Sequence, residues 1–133
     1  DYKKLKNLSY ELKLEKKIKF LGRKTKIKEY FVKSKIFVFP SLYEGLPNVL
    51  IDSLNYNLPV ISSNCSGAKD ILGNDFKDFV PHRNYRVLAK KMIQVIDKYN
   101  SKISTMTKIR KNLYRFMVKN QSIRYLNYCN EIL

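Results

Sequence analysis

The chain has 133 residues and a mass of 15.8 kDa, and its 27 Lys and Arg against 11 Asp and Glu give a formal net charge of +16. A hydrophobic content of 44% and an aromatic content of 13% exclude a disordered basic tail and indicate a single folded domain over residues 1–133. No apolar run approaches the roughly 20 residues that span a bilayer, and no apolar signal segment opens the sequence, so we expect a cytoplasmic protein.

The first third of the chain alternates helical and strand patterns. Leucines at near-helical spacing predict a helix over residues 2–16, and a short apolar run closed by Gly22 predicts a strand over residues 18–21. Thr25 is placed to cap a second helix that extends to about residue 34. The next apolar run, residues 36–39, shows no alternation and ends at Pro40, which is typical of a strand buried on both faces of a sheet.

The rest of the chain continues in the same order and then becomes helical. The predicted elements are a helix over residues 47–56, a strand over 60–62, a short helix over 69–72, a weaker strand over 76–80, and helices over 84–100, 102–118 and 122–133. This order predicts an α/β fold, a Rossmann-like parallel sheet flanked by helices, with a helical C-terminal extension over residues 101–133. Ligands bind such sheets outside the carboxyl ends of the strands, so the loops after residues 21, 39 and 62 are expected to carry the function.

The loop after the second predicted strand offers the clearest chemistry. Glu44 stands directly before Gly45, where the backbone can approach a ligand closely. The backbone amides of Leu46, Asn48 and Val49 are expected to point out of the start of the following helix, with the positive end of the helix dipole behind them. This arrangement suits a phosphate or a polyhydroxylated group. The residues alone leave a simpler interpretation open, in which Glu44 is a solvated residue or a capping aid in an ordinary tight connection.

A second carboxylate follows on the same predicted helix. Asp52 lies at i+4 from Asn48, on the polar face and one turn in from the expected cleft. A carboxylate at this place could accept hydrogen bonds from a ribose diol. The alternative is an acidic residue in the first two turns that simply complements the helix dipole.

Several motifs now follow one another over residues 18–72. They are Phe20-Leu21-Gly22, then Ile36-Phe37-Val38-Phe39-Pro40-Ser41-Leu42-Tyr43-Glu44-Gly45-Leu46-Pro47-Asn48-Val49-Leu50-Ile51-Asp52-Ser53-Leu54, and then Leu58-Pro59-Val60-Ile61-Ser62. Together they strongly resemble the C-terminal, donor-binding domain of retaining glycosyltransferases of family 4 (glycosyl transferases group 1), which have the GT-B fold. The resemblance implies transfer of a hexose or N-acetylhexosamine from a nucleotide diphosphate sugar, foremost a UDP-sugar, to a glycan or lipid-linked acceptor. The setting it implies is the biosynthesis of cell-surface polysaccharide, lipopolysaccharide or glycoconjugates.

The resemblance also implies a role for each matching residue. The family has a Glu, seven residues and a second Glu. Glu44 holds the first position and is implied to be the catalytic residue that contacts donor-sugar hydroxyls near the reacting carbon. Asp52 holds the second position, where the family usually has a Glu that binds the ribose and is one methylene longer. The diphosphate or sugar is implied to meet the backbone of Gly45, Leu46, Asn48 and Val49, whereas Pro47 has no amide to offer.

Three other positions are interpreted by the same comparison. Gly22 and Arg23 resemble the segment whose backbone meets the nucleobase, with a solvated lysine-rich loop as the alternative. The loop Cys65-Ser66-Gly67-Ala68-Lys69-Asp70 has lost one of the two family glycines and ends in Asp rather than Glu, so no ligand contact is assigned to it. His82, the only histidine, is expected to be incidental.

The family pattern implies a site completed from outside these residues. Relatives neutralise the leaving diphosphate with a helix N-terminus, an Arg and a Lys, usually without a metal, and no paired acidic metal site or cofactor is expected in this sequence. In relatives that Arg, that Lys and the acceptor-binding N-terminal domain precede the matching segment. Since this chain starts at Asp1 inside a helical pattern, we expect a fragment whose partner is the N-terminal domain of the same enzyme and which does not turn over alone.

The positive charge remains open to two interpretations. Lys, Asn and Tyr are abundant, a bias that an AT-rich coding sequence produces without any selection for binding. A chain this basic nevertheless favours polyanions, so a non-enzymic domain that binds nucleic acid or an anionic membrane surface is the alternative function. No nucleic-acid motif is present, and no specific nucleic-acid partner is expected. A peripheral contact with the inner face of the cell membrane is compatible with the enzymatic hypothesis.

Overall fold

The computed structural model of the protein describes residues 1–116, 120, 122–123 and 126–129. Within these residues the centre of the fold is a parallel sheet of three strands, β1 (Phe37–Phe39), β2 (Val60–Ser63) and β3 (Phe79–Val80), in that spatial order. Val38 is paired with Ile61, and Ser62 with Phe79. The predicted α/β class with a parallel sheet is therefore confirmed.

Helices precede the first strand, occupy the connections between the strands and follow the last strand. In chain order they are α1 (Tyr2–Glu11), α2 (Lys28–Lys33), α3 (Asn48–Asn55), α4 (Ser66–Leu72), α5 (Tyr85–Asp97) and α6 (Tyr99–Arg110), followed by a 3-10 helix, Lys111–Phe116. Of the helix predicted over residues 122–133, residues 122–123 and 126–129 are helical, and the remainder lies outside the described residues, as does the predicted helix end at residue 118.

The core has two parts, one on each face of the sheet. On one face Phe39 and Val60 pack with buried residues of α3, α4 and α6, among them Leu50 and Met106. On the other face Ile61 and the last residue of β3 pack with residues of α5. Neighbouring residues of β2 thus serve opposite faces, because side chains alternate along a strand. Helices on both faces explain why β1 and the first half of β2 are continuously apolar.

The strand predicted over residues 18–21 is wrong. These residues have no ladder partner in the part of the chain that the structure describes, and they run as irregular backbone in which Ile18 and Leu21 are about two-fifths exposed. Only Phe20 is half-buried, and its ring meets the edge of the Tyr2 ring at a centroid distance of 5.8 Å. An apolar run becomes a strand only where a neighbouring strand can accept its backbone hydrogen bonds.

The first helix ends earlier than its leucine spacing predicts. It stops at Glu11 because Lys13 adopts the left-handed conformation with φ 54°. The amide of Leu14 then donates to the Ser9 carbonyl at 2.8 Å, and the amide of Lys13 to the Tyr10 carbonyl at 2.9 Å. These two bonds form a Schellman end, which usually has glycine at the left-handed position.

Other predicted boundaries also move. Thr25 does not cap α2, because the N-cap of this helix is Ile27. Phe31 is the buried residue of α2, and its ring stacks on the Tyr56 ring at a centroid distance of 5.4 Å. Helix α4 begins three residues earlier than predicted, at Ser66, and β3 is limited to its last two predicted residues. Helices α5 and α6 are nearly continuous, separated only at Lys98, so the predicted start of the second of them at residue 102 is also late.

A buried ion cluster fixes the C-terminal helices to the sheet. Asp78 is 3% exposed and lies directly before β3. Lys102 of α6 donates to both of its carboxylate oxygens, at 2.8 and 2.5 Å, and Lys91 of α5 lies 3.4 Å from the same carboxylate. One carboxylate therefore holds two helices that pack on different faces of the sheet.

We predict that Asp78→Ala lowers the free energy of unfolding by about 3 kcal/mol, because it leaves two largely buried lysine ammonium groups without their counter-charge. The measurement is urea denaturation followed by circular dichroism. The control is Glu29→Ala, which removes an exposed i,i+4 ion pair with Lys33 and should cost less than about 0.5 kcal/mol. Equal losses in the two variants would contradict a structural role for the Asp78 cluster.

Candidate functional site

The carboxyl ends of the three strands open onto one cavity of about 340 Å³. It is lined by the last residues of β2 and β3, by residues after β1 and β3, and by the start of α5: Pro40, Leu42, Ser63, Val80, Pro81, His82, Arg83, Asn84, Tyr85 and Leu88. A larger depression of about 700 Å³ lies along α2 and is lined only by residues 25–29, 32 and 33. The strand-end cavity is the better candidate for a site because it lies at the carboxyl ends of the strands and all three strands contribute to it.

Glu44 lies in the loop of residues 40–47 that joins β1 to α3, here called the Glu44 loop, and Pro40 and Leu42 of this loop line the cavity. The side chain is half-buried, and the hydroxyl of Ser41 donates to its Oε1 at 3.2 Å. The start of the loop is held from β2, where the Ser63 hydroxyl donates to the Ser41 carbonyl and lies 3.4 Å from that of Phe39. The carboxylate therefore stands in a loop with fixed ends, although Tyr43 beside it is 81% exposed.

The backbone at Glu44 packs against the start of α4. The Gly67 amide donates to the Glu44 carbonyl at 3.1 Å. A Cβ added to Gly67 would lie 2.6 Å from that carbonyl oxygen and nearer still to the carbonyl oxygen of Gly45. Sequence reasoning assigned no role to Gly67 or to Ser63. The signal available in the sequence was the single glycine of the loop Cys65-Ser66-Gly67-Ala68-Lys69-Asp70, which follows the third predicted strand.

Helix α3 begins at the end of the Glu44 loop without a side-chain cap. Pro47 is its N-cap, and the Pro47 carbonyl accepts the amides of Leu50 and Ile51 at 2.9 and 3.4 Å. The amides of Asn48 and Val49 precede those bonds and are the first in the helix. An uncapped helix start with no acidic residue in its first turn leaves the positive end of the dipole available to an anion.

The other predicted residues divide into two groups. Gly45 and Leu46 are exposed at the tip of the Glu44 loop, and Asp52 is half-buried one turn into α3, on the same side as Asn48. That these positions act together with Glu44 stays a prediction. The predicted packing face of α3 is also correct, since Leu50, Ser53 and Leu54 are fully buried.

Gly22 and Arg23 are not brought into this group. Both are exposed in the irregular segment before α2, where Gly22 has φ 61°. Among the residues that the structure describes, no hydrogen bond or ion pair joins either of them to the Glu44 loop. His82, expected to be incidental, lines the strand-end cavity with Arg83, and no role is assigned to it here.

The comparison with known families identifies the chain. A family model described as glycosyl transferases group 1 matches residues 1–115 of the 133. The chain belongs to this family.

Individual relatives agree with the family model. A GalNAc-alpha-(1->4)-GalNAc-alpha-(1->3)-diNAcBac-PP-undecaprenol alpha-1,4-N-acetyl-D-galactosaminyltransferase of Campylobacter jejuni is 30% identical over 94% of this chain and 36% of its own length. A UDP-Gal:alpha-D-GlcNAc-diphosphoundecaprenol alpha-1,3-galactosyltransferase of Escherichia coli is 32% identical over 59% of the chain and 20% of its own length. An uncharacterised glycosyltransferase of Methanocaldococcus jannaschii is 38% identical over 65% of the chain and 23% of its own length. The chain thus spans between a fifth and just over a third of these relatives.

The charge of this family member is distributed away from the site. From Ile36 to Ala68 the sequence contains no Lys or Arg, and its charged residues are Glu44 and Asp52. No group of three or more His, Cys, Asp or Glu side chains that could hold a metal ion is found in the described part of the chain. Within residues 36–68 the positive potential therefore comes from the backbone dipoles at the start of α3, whereas Arg83 lines the strand-end cavity.

Proposed function

We propose that this chain is the donor-binding domain of a retaining family 4 glycosyltransferase with the GT-B fold. Its donor is a nucleotide diphosphate sugar, foremost a UDP-sugar that carries a hexose or N-acetylhexosamine. Its acceptor is a glycan or a lipid-linked glycan of a cell-surface polysaccharide, lipopolysaccharide or glycoconjugate. The single observation that carries the proposal is the half-buried Glu44, held by Ser41 in the loop that leads from β1 to the uncapped start of α3.

The proposed chemistry divides the donor between these two features. A retaining transfer passes through an oxocarbenium-like state while negative charge accumulates on the leaving diphosphate. The Glu44 carboxylate would contact sugar hydroxyls close to the reacting carbon, where its negative charge favours the developing cation. The amides of Leu46, Asn48 and Val49 would face the diphosphate, with the dipole of α3 behind them.

The remaining donor contacts are those to the ribose and the base. Asp52, one turn into α3, would accept hydrogen bonds from the ribose hydroxyls. The backbone at Gly22 and Arg23 would meet the base. Because these two residues do not touch the Glu44 loop in the structure, the proposal requires the nucleotide itself to bridge the gap between them.

The rest of the enzyme is proposed to supply what this chain lacks. The absence of Lys and Arg between residues 36 and 68 supports a diphosphate neutralised by basic residues elsewhere in the enzyme, and the proposal includes no metal or cofactor. An acceptor-binding N-terminal domain would close the site. The names of the E. coli and C. jejuni relatives, which specify undecaprenyl diphosphate acceptors, favour a lipid-linked acceptor and hence work at the cytoplasmic face of the membrane.

We predict that Glu44→Gln, made in the complete enzyme, lowers kcat by about 10²- to 10³-fold, because the charge that stabilises the transition state is lost while the side chain keeps its shape. Turnover of a panel of UDP-, GDP- and ADP-sugars is measured, with donor binding followed by thermal shift. The control is Glu15→Gln, an exposed residue in the turn after α1, which should retain full activity. Full turnover in Glu44→Gln with the preferred donor would remove Glu44 from the mechanism.

A second role is favoured by the surface of the N-terminal region. Residues 1–35 contain 13 Lys and Arg against 4 Asp and Glu, a formal net charge of 13 − 4 = +9. Helix α1 combines its lysines with four large apolar side chains that are about half exposed: Tyr2, Leu5, Leu8 and Tyr10. This combination suits peripheral contact with an anionic membrane surface, where each lysine contributes about 1 kcal/mol. Among the described helices, none has the length and the apolar content needed to cross a bilayer.

We predict that the triple substitution of Lys3, Lys4 and Lys6 by Gln weakens binding to vesicles containing phosphatidylglycerol by about 10- to 100-fold. The measurement is co-sedimentation at two salt concentrations. The matched control replaces Lys90, Lys98 and Lys108, which are exposed on or between α5 and α6, and should bind nearly as the parent does. Equal losses would mean that the charge acts without a defined surface, and tight, steeply salt-dependent binding to DNA or RNA would favour the nucleic-acid alternative.

A further inference from the structure

The Glu44 loop is held mainly by the next strand and helix along the chain. Within the loop the side chain of Ser41 makes the contacts, and its hydroxyl lies 3.2 Å from Glu44 Oε1 and 3.3 Å from the Tyr43 carbonyl oxygen. The contacts from outside come from β2 and α4. Ser63 holds the start of the loop, and Gly67 holds the Glu44 backbone itself. Both of these residues are buried.

Position 67 requires a glycine because there is no room for a side chain, and not because its backbone conformation excludes other residues. Gly22 and Gly73 have positive φ values, but Gly67 does not, and any residue could adopt its helical backbone. Alanine is the more favourable residue in a helix on propensity alone. What excludes alanine here is the backbone of Glu44 and Gly45, since a Cβ at Gly67 would come within 3 Å of three of its atoms.

We propose that Gly67, together with Ser63, is a positioning residue for Glu44. This inference rests on the proposed function and extends it to residues that do not touch the donor. Gly67 brings the start of α4 against the Glu44 loop and donates its amide to the Glu44 carbonyl, and Ser63 fixes the Ser41 end of the same loop. Together they set where the carboxylate stands relative to the first amides of α3.

A larger residue at position 67 therefore acts through Glu44. The atoms that it would meet belong to the backbone, so relief requires α4 or the Glu44 loop to shift as a unit. A displacement of about 1 Å in a reacting group commonly costs about 10²-fold in rate. The loss should fall chiefly on kcat, because the amides of Asn48 and Val49 lie on α3 beyond the displaced segment.

The test is a double-mutant cycle in the complete enzyme, with Gly67→Ala and Glu44→Gln made singly and together. We expect Gly67→Ala to lower kcat about 10²-fold in the parent, with a smaller rise in donor KM. In the Glu44→Gln background the same substitution should cost less than about threefold, since residues that act through one group are not additive. Ser66→Ala, in the same helical turn but exposed, is the matched control and should stay within about twofold of the parent.

The cycle separates a positioning role from simple loss of structure. Thermal unfolding of each variant is followed in parallel. If Gly67→Ala does not fold, Ser63→Ala takes its place in the cycle, because it removes one hydroxyl and adds no atom. For Ser63→Ala, a kcat loss that disappears in the Glu44→Gln background supports the inference.

Two results would overturn the inference. One is unchanged kcat in Gly67→Ala and Ser63→Ala, and the other is a loss of the same size with and without the Glu44 carboxylate. Either result, in a parent enzyme that consumes a nucleotide sugar and loses activity in Glu44→Gln, leaves the proposed function standing. A parent enzyme that consumes no nucleotide sugar refutes the proposed function, and the positioning role falls with it.

Discussion

The contact between the start of α4 and the loop after β1 is the constraint on which the candidate site depends. A parallel sheet presents its strand ends at one edge, but it leaves the loops there free to diverge. Here the amide of Gly67 donates to the Glu44 carbonyl, and the missing side chain lets the two backbones touch. The result is a carboxylate placed one residue before the turn into α3, beside a helix start that no side chain caps.

The charge of the molecule is organised around this site rather than in it. The region from Ile36 to Ala68 forms β1, α3, β2 and the start of α4 without a single Lys or Arg, while the first 35 residues are strongly basic. The lysines with a clear structural role lie elsewhere, around the buried carboxylate of Asp78. The net charge of +16 therefore arises outside residues 36–68, and Arg83 is the basic residue that lines the strand-end cavity.

The sequence predicted the class of fold, the central strands and the Glu44 loop because these features are local. The unbroken apolar run before Pro40 and the turn residues after it are readable without tertiary information. The sequence could not predict which distant segment each element contacts. The apolar run at residues 18–21 has the composition of a strand but no ladder neighbour, and Lys13 ends α1 where the leucines continue. The role of Gly67 was also unpredictable from local sequence, because it depends on the backbone of Glu44 and Gly45, more than 20 residues away.

The central claim is that the Glu44 loop and the start of α3 bind the diphosphate and sugar of the donor. The most direct measurement is a titration of the ¹⁵N-labelled protein with UDP-sugar, followed by amide chemical shifts. The account predicts the largest changes at Gly45, Leu46, Asn48 and Val49, with smaller changes at Asp52. Changes confined to residues 82–85 of the strand-end cavity, or spread over the lysines of residues 1–35, would contradict it.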